Sequence, residues 1–324
     1  MRISLAVACF AIVATMVLPI SADAVSPMEA TRLPQNPIVT PASSDTLGDN
    51  INGPSLIRVP SWVKHPLGKY YLYFAHHGGK YVRLAYAADL QGPWHIYEPG
   101  TLRLEQAARC YDHIASPDVH VDEGRRELRM YFHCPAGAAG SVDITEQKTF
   151  VARSTDGLNF SANTLPLGPA YFRVFQYGGY YYSIVRGGLI LRSRNARGVF
   201  EEGPTLIKAE DGRILRHAAV DLRGDLLRIY YSRIGDRPER ILESDVHLTS
   251  DWTAWTASKS TIVLSPEKTY EGSDQPLEAS EPDDAPHRVR QLRDPAVFRE
   301  GRRAYLVYSI AGESGLAMAT LAEQ

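Results

Sequence analysis

One three-part unit returns five times along the chain, and this repeat constrains the fold more than any other feature. Each unit has a short apolar strand, a tight Gly-containing turn, an aromatic strand and a third strand. The first reads Asn52-Gly53-Pro54-Ser55-Leu56-Ile57, then Tyr70-Tyr71-Leu72-Tyr73-Phe74, then Arg83-Leu84-Ala85-Tyr86-Ala87. The second begins at Ser116-Pro117-Asp118-Val119, the third at Gly168-Pro169-Ala170-Tyr171, the fourth at Arg216-His217-Ala218 and the fifth at Arg293-Asp294-Pro295. Units of roughly 50–60 residues suit propeller blades better than solenoid turns. Radial repetition of four-stranded blades also removes most exposed strand edges. The reading is an all-β, five-bladed β-propeller over residues 51–324. The fifth unit lacks an outer strand, and Pro37-Ile38-Val39-Thr40 is the segment expected to supply it.

Composition agrees with a packed domain. The 324 residues are 44% hydrophobic, which excludes a disordered or collagen-like chain. A net charge of −2 argues against nucleic acid as a partner, since phosphates select basic surfaces. Residues 1–24 have a basic start, an apolar run from Leu5 to Ile20 and an Ala22-Asp23-Ala24 site, the parts of a secretory signal peptide. The expected mature chain is periplasmic or extracellular and free of the membrane after cleavage. It keeps two cysteines, Cys110 and Cys134. An oxidising compartment and a turn at Glu123-Gly124-Arg125 that folds them together predict a disulfide. Residues 25–50 read as an extended segment, and 264–292 as a long polar loop of the kind that usually carries function.

In a propeller, the starts of the inner strands and the ends of the second strands converge on one rim of the channel. That places Asn52, Ser116 to Asp118, His217, Arg293 and Asp294 with His76, His77, His133, Arg186, Arg233 and Glu313. His113 lies just upstream of the second inner strand. The prolines recur from unit to unit and read as architecture, whereas their polar neighbours differ, as a site requires. Asp118, Asp294 and Glu313 are the candidate catalytic groups. Carboxylates facing one cavity suit acid/base cleavage of glycosidic bonds. Asn52, His77, His113, Arg186, His217 and Arg293 are the candidate substrate-binding groups. Bland roles compete: Asp294 with Arg293 reads equally as a structural ion pair, Asp118 as a turn cap, and His217 as a satisfied core histidine. Two cysteines alone do not make a zinc site, and no metal ligand set is read from the residues. Trp94, Trp252 and Trp255 fall where outer strands are expected and read as packing.

The repeated x-Pro strand starts, Gly68-Lys69-Tyr70-Tyr71-Leu72-Tyr73, Ser116-Pro117-Asp118-Val119 and Arg293-Asp294-Pro295 resemble the five-bladed propeller glycosidases of glycoside hydrolase family 43 and its relatives in families 32, 62, 68 and 117. The resemblance implies a secreted glycoside hydrolase acting on an oligo- or polysaccharide, with inversion. It implies an Asp base in the first blade, a pKa-tuning Asp in the second and a Glu acid in the third. Only the second carries over, onto Asp118. The first position holds Asn52-Gly53-Pro54 and the third Leu167-Gly168-Pro169. Asp49 or Asp294 then stands as base, and Glu313 or Glu281 as acid. A histidine acid, as in family 117, keeps His77, His113 and His217 in play. The resemblance implies no required cofactor, but an axial calcium or sodium ion beside a fourth-blade histidine, which falls on His217. The missing positions leave a non-catalytic carbohydrate-binding propeller as the alternative. Ser154-Thr155-Asp156-Gly157-Leu158-Asn159-Phe160 resembles the Asp box of sialidases, a turn motif with no chemistry.

Overall fold

The computed structural model describes residues 26–136, 146–285 and 287–323. The proposed signal peptide therefore lies outside the described residues. Five antiparallel sheets stand in a ring. Their inner strands are Asn52–Arg58, Ala115–Asp122, Arg173–Tyr177, Ile214–Arg223 and Arg293–Glu300, for blades I to V. The second strands are Tyr70–Ala75, Glu127–Pro135, Tyr180–Ile184, Leu226–Ile234 and Arg303–Ser309. The five-bladed all-β fold expected from the repeat is the one observed.

Aromatic second strands are explained by alternation. Successive side chains point to opposite faces of a strand. In blade I, Tyr71 and Tyr73 pack with Met130 and Phe132 of blade II. Tyr70, Leu72 and Phe74 pack with Phe298 and Val307 of blade V. Both faces are buried, so the strand is apolar throughout rather than alternating. The same logic produces a separate apolar cluster at each of the five blade junctions.

Ring closure corrects the sequence expectation. The outer strand of blade V is Met28–Arg32, antiparallel to Leu316–Glu323, and not Pro37–Thr40. Met28 is buried and its backbone N–H donates to Glu243 of blade IV. The Pro37–Thr40 segment makes only a single bridge, Val39 to Leu316. Ile38 and Val39 are instead buried in the blade I–V cluster, so their apolar character reflects packing and not strand pairing.

The remaining local expectations concern blade II and the outer strands. Cys110 and Cys134 form a disulfide, Cα to Cα 5.6 Å. Asp156 closes the Asp-box turn by accepting from Leu158 N and Asn159 N, both at 2.8 Å. Trp252 and Trp255 pack around Tyr182 in the blade III–IV cluster. No helix among the described residues is long and apolar enough to cross a membrane.

Candidate active site at the channel rim

The inner strands are distorted where they reach the rim. In blades I, II, IV and V the register to the second strand shifts within the first few residues. Such bulges turn a side chain away from the ladder. At three of them the residue before the proline is left-handed: Gly53 at φ 57°, Ser116 at φ 49° and Asp294 at φ 48°. Tyr171, ahead of the blade III inner strand, has φ 71°. Glycine takes this conformation readily, but each non-glycine residue there stores about 1–3 kcal/mol of strain. Ser116, Tyr171 and Asp294 all line one cavity, so the strain is concentrated where chemistry would occur.

That cavity is a funnel. Its mouth, about 590 Å³, is bounded by His77, His113, Gln147, Tyr171 and Arg186 and by Pro282 to Asp284 of the long loop. Its floor narrows to about 20 Å³ among Asn52, Ser116, His133, His217, Asp294 and Glu313. The floor has room for a water molecule, which needs roughly 10–15 Å³. The mouth falls in the range of sites for small ligands, about 300–1,000 Å³. Buried arginines hold the loop over the channel. Arg216 donates to the carbonyls of Glu281, Pro282 and Asp283, and Arg293 to that of Asp283.

Two histidine–carboxylate pairs face this space. His217 Nδ1 bonds Asp294 Oδ1, while His217 Nε2 lies 3.4 Å from Ser116 Oγ. Asp294 Oδ2 accepts from Ser309 Oγ at 3.2 Å and from Gly53 N at 3.4 Å. Burial works against the Asp294 charge, but His217, Arg216 and Arg293 outweigh it and hold the carboxyl ionised. Burial also lowers the pKa of His217, against the pull of Asp294, so the ring is neutral. With its Nδ1 proton on the Asp294 bond, Nε2 presents a lone pair.

The second pair is tuned the other way. His77 Nδ1 lies 3.7 Å from Glu313 Oε2. Burial disfavours its charge, but Glu313 overrides burial and raises its pKa above 6.5. Glu313 itself is 4% exposed and is pulled down to about 2, since His77 and Arg293 outweigh its desolvation. Arg293 donates to it at 3.0 Å, and Asn50 and Asn52 at 2.6 and 3.0 Å. Arg216 and Arg293 also flank the buried Glu239. Burial also keeps His113 and His133 neutral, His133 strongly so. Tyr171 is wedged between His133 and His217, ring centres 4.2 Å from each, and burial lifts its pKa to about 12. Arg186 lines both floor and mouth and has no carboxylate partner among the described residues.

Most of the residues read from the sequence meet here: Asn52, His77, His113, Arg186, His217, Asp294 and Glu313 all line the cavity. Arg293 stands behind it as the support of Glu313. Asp118 is elsewhere. It accepts from Val174 N of blade III at 2.8 Å and pairs with His120 at 2.9 Å. Arg233 is tied to Glu210 and Asp236. Glu281 contributes a backbone carbonyl to Arg216. The sequence reading missed Tyr171, Arg216 and Gln147. The repeated basic residue at Arg216 and Arg293 was a usable signal; nothing local marked Tyr171. No group of three or more His, Cys, Asp or Glu side chains that could hold a metal ion occurs among the described residues, at His217 or elsewhere.

No family model matches the chain. A viral protein does: uncharacterized protein R118 of Acanthamoeba polyphaga mimivirus is 38% identical over 322 residues, covering 90% of this chain and 89% of its own. The chain belongs to the R118 family. Solved structures extend the comparison to fold. A putative glycoside hydrolase from Parabacteroides distasonis covers 93% of the chain and 98% of itself, with TM-score 0.65 at 11% identity. The GH43_1 enzyme from Xanthomonas citri covers 85% and 89%, with TM-score 0.58 at 14% identity. At these identities the shared property is the five-bladed propeller of the GH43 glycosidases. The R118-family chain carries it with the histidine-rich rim described above.

Proposed function

We propose that this R118-family protein is an exported glycoside hydrolase that cleaves saccharides by a one-step displacement with inversion. The observation that carries the reading is the pair of histidine–carboxylate dyads, tuned in opposite directions on one cavity. Groups pushed apart in this way mark the acid and the base. Neither carboxylate suits the proton donor, because nearby cations hold both ionised.

In this mechanism a water on the cavity floor gives a proton to His217 Nε2 as its oxygen attacks the anomeric carbon. Asp294 orients the ring and stabilises the imidazolium that forms. His77, kept protonated by Glu313, donates its proton to the departing glycosidic oxygen. One bond to the anomeric carbon forms and one breaks; His217 then loses its proton to solvent and His77 regains one, which restores the starting state for the next turnover. Arg186 and Gln147 are placed to bind sugar hydroxyls in the mouth. The Xanthomonas citri enzyme has been solved with xylose and with xylotriose, which makes pentose oligosaccharides the first substrates to try. Export rests on the pattern of residues 1–24 and agrees with the disulfide.

The test is release of sugars from a panel of xylan- and arabinan-derived oligosaccharides by wild type and Asp294→Asn. Release by wild type, reduced about 100-fold or more in the variant, is the expected result. Equal release by both would move the catalytic residues elsewhere. Binding without release by either would favour a carbohydrate-binding propeller, the reading supported by the absent Asp at Asn52-Gly53-Pro54 and the absent Glu at Leu167-Gly168-Pro169.

A further inference from the structure

His217 joins two other side chains into one line. Its Nδ1 bonds Asp294 Oδ1, and its Nε2 lies 3.4 Å from Ser116 Oγ. The three residues come from blades V, IV and II, are all buried and all line the cavity floor. Their connectivity is that of a nucleophile, its general base and the carboxylate that orients the base. No short motif announces it, because His217 stands 101 residues from Ser116 and 77 from Asp294 in the chain.

Several observations set Ser116 apart from an ordinary buried serine. Most side-chain hydrogen bonds go to backbone or water. His217 is instead the only hydrogen-bond partner of Ser116 Oγ among the described residues. With the other ring proton on the Asp294 bond, the hydroxyl donates to the Nε2 lone pair, and that contact activates its oxygen. A separation of 3.4 Å is ordinary for a nucleophile and base before substrate binds. Ser116 also sits in the left-handed region at φ 49°, and nucleophilic serines are commonly presented on strained turns. The turn is gripped from both sides. Arg173 of blade III donates to Ser116 O at 3.4 Å, and Gly53 of blade I packs so closely that a Cβ there would lie 3.2 Å from Ser116 Cα. Ser309 Oγ and Gly53 N hold Asp294 Oδ2, which keeps Oδ1 on the imidazole.

We propose that this site is also an esterase, in which Ser116 Oγ cleaves acetyl esters through an acyl-enzyme with His217 as base and Asp294 as its orienting carboxylate. The activity goes beyond glycosidic cleavage and does not depend on it. The floor of about 20 Å³ selects a small acyl group, while the alcohol portion stays in the mouth of about 590 Å³. Ser116 Oγ attacks the carbonyl carbon as its proton passes to His217 Nε2. The carbonyl re-forms, the bond to the alcohol oxygen breaks, and the alcohol leaves with the proton from His217. Water then attacks the acetyl group, gives its proton to the same Nε2, and acetic acid leaves as Ser116 Oγ recovers that proton. Pro117 has no backbone N–H, so the residue after the nucleophile cannot donate to the oxyanion. Arg186 and His77, which line the same floor, are the cations placed to meet that charge. The base is shared: an ester draws the proton from Ser116, a glycoside from water.

Hydrolysis of p-nitrophenyl acetate by the protein tests this, with p-nitrophenyl butyrate as the larger ester. The acetate should be preferred by about ten-fold or more in kcat/KM. Equal turnover of the two would overturn the acetyl assignment. Ser116→Gly suits the left-handed backbone and removes only the hydroxymethyl group, and it should lower kcat/KM on the acetate by about 1,000-fold. Thermal unfolding checks that the variant is folded. Ser116→Cys keeps a nucleophile and should trap the acyl group as a thioester, read by mass spectrometry as one acetyl on the peptide that carries the substitution. A serine that only held His217 in place would give no thioester. Absence of acetate hydrolysis by wild type, Ser116→Gly within about three-fold of wild type, or no acetyl on the Ser116→Cys peptide would each overturn the triad. Sugar release from the oligosaccharide panel is scored separately. Ester cleavage without sugar release keeps the triad and discards the glycosidase; sugar release without ester cleavage discards the triad alone.

Discussion

Blades II and V begin with nearly the same letters, Ser116-Pro117-Asp118 and Arg293-Asp294-Pro295, yet their aspartates face different surroundings. Asp294 precedes its proline, takes the left-handed conformation and faces the cavity. Its counterpart in blade II is Ser116, also left-handed and also on the cavity. Asp118 follows its proline, where the ladder has resumed, and its side chain reaches sideways to Val174 N of blade III. A displacement of two residues around a bulge separates a position that faces the cavity from one that braces the next blade. Blade II is in addition held by the Cys110–Cys134 disulfide. Blades IV and V instead carry the charged cluster of Arg216, Glu239, Arg293 and Glu313.

The largest effect should separate the two aspartates. Asp294→Asn is expected to lower kcat/KM by about 100-fold or more, while Asp118→Asn stays within about three-fold. Asp118→Ala should instead lower unfolding stability by about 1–3 kcal/mol, read in urea, because Val174 N loses its acceptor. If the two variants exchange these signatures, the distinction between the cavity-facing and the bracing aspartate is broken.

Removing the disulfide comes next. Cys110→Ser with Cys134→Ser frees a link of sequence separation 24 and should lower stability by about 2–4 kcal/mol, with kcat on the residual folded enzyme unchanged. A fall in kcat at full folding would make blade II part of the chemistry.

The pH profile sharpens the contrast within the site. His217 must be neutral and its pKa lies below 6.5, so kcat/KM should fall on the acid side of that value. His77 must be protonated and its pKa lies above 6.5, so kcat/KM should fall again as pH rises through it. Glu313→Gln removes the charge that raises His77, and the alkaline limb should move to lower pH while the acid limb stays. Movement of the acid limb alone would reverse the two roles.

The smallest effect concerns strain. Ser116 is left-handed, so Ser116→Gly should be more stable than Ser116→Ala by about 1 kcal/mol, measured by urea unfolding. Equal stabilities would mean that the left-handed backbone at the rim stores nothing.

Much of this was legible in the residues. Aromatic strands at regular intervals gave the blades, because a strand buried on both faces has to be apolar throughout. The topology of a blade then named the rim, and Asn52, His77, His113, Arg186, His217, Asp294 and Glu313 follow from it. Asp118 lies off the cavity it was expected to face, because the letters around a proline do not reveal which residue occupies the bulge. The closing strand was misread because Ile38 and Val39 are apolar for packing, while Met28-Glu29-Ala30-Thr31-Arg32 gives only a weak alternating signal. Tyr171 had no local mark at all.

The sequence by itself determined what depends on near neighbours: alternation within strands, the turns that join them, the Asp-box turn and the pairing of two cysteines across a hairpin. Only the tertiary structure decided what depends on groups far apart in the chain. His217 and Asp294 are 77 residues apart, and Asn52 and Glu313 are 261 apart. Whether such groups are charged or neutral is set by burial and by which partner they meet, and those are properties of the closed ring. The two histidines are the same residue type in the sequence. Burial and a carboxylate act on both; burial prevails at His217 and Glu313 prevails at His77, and the fold makes that difference.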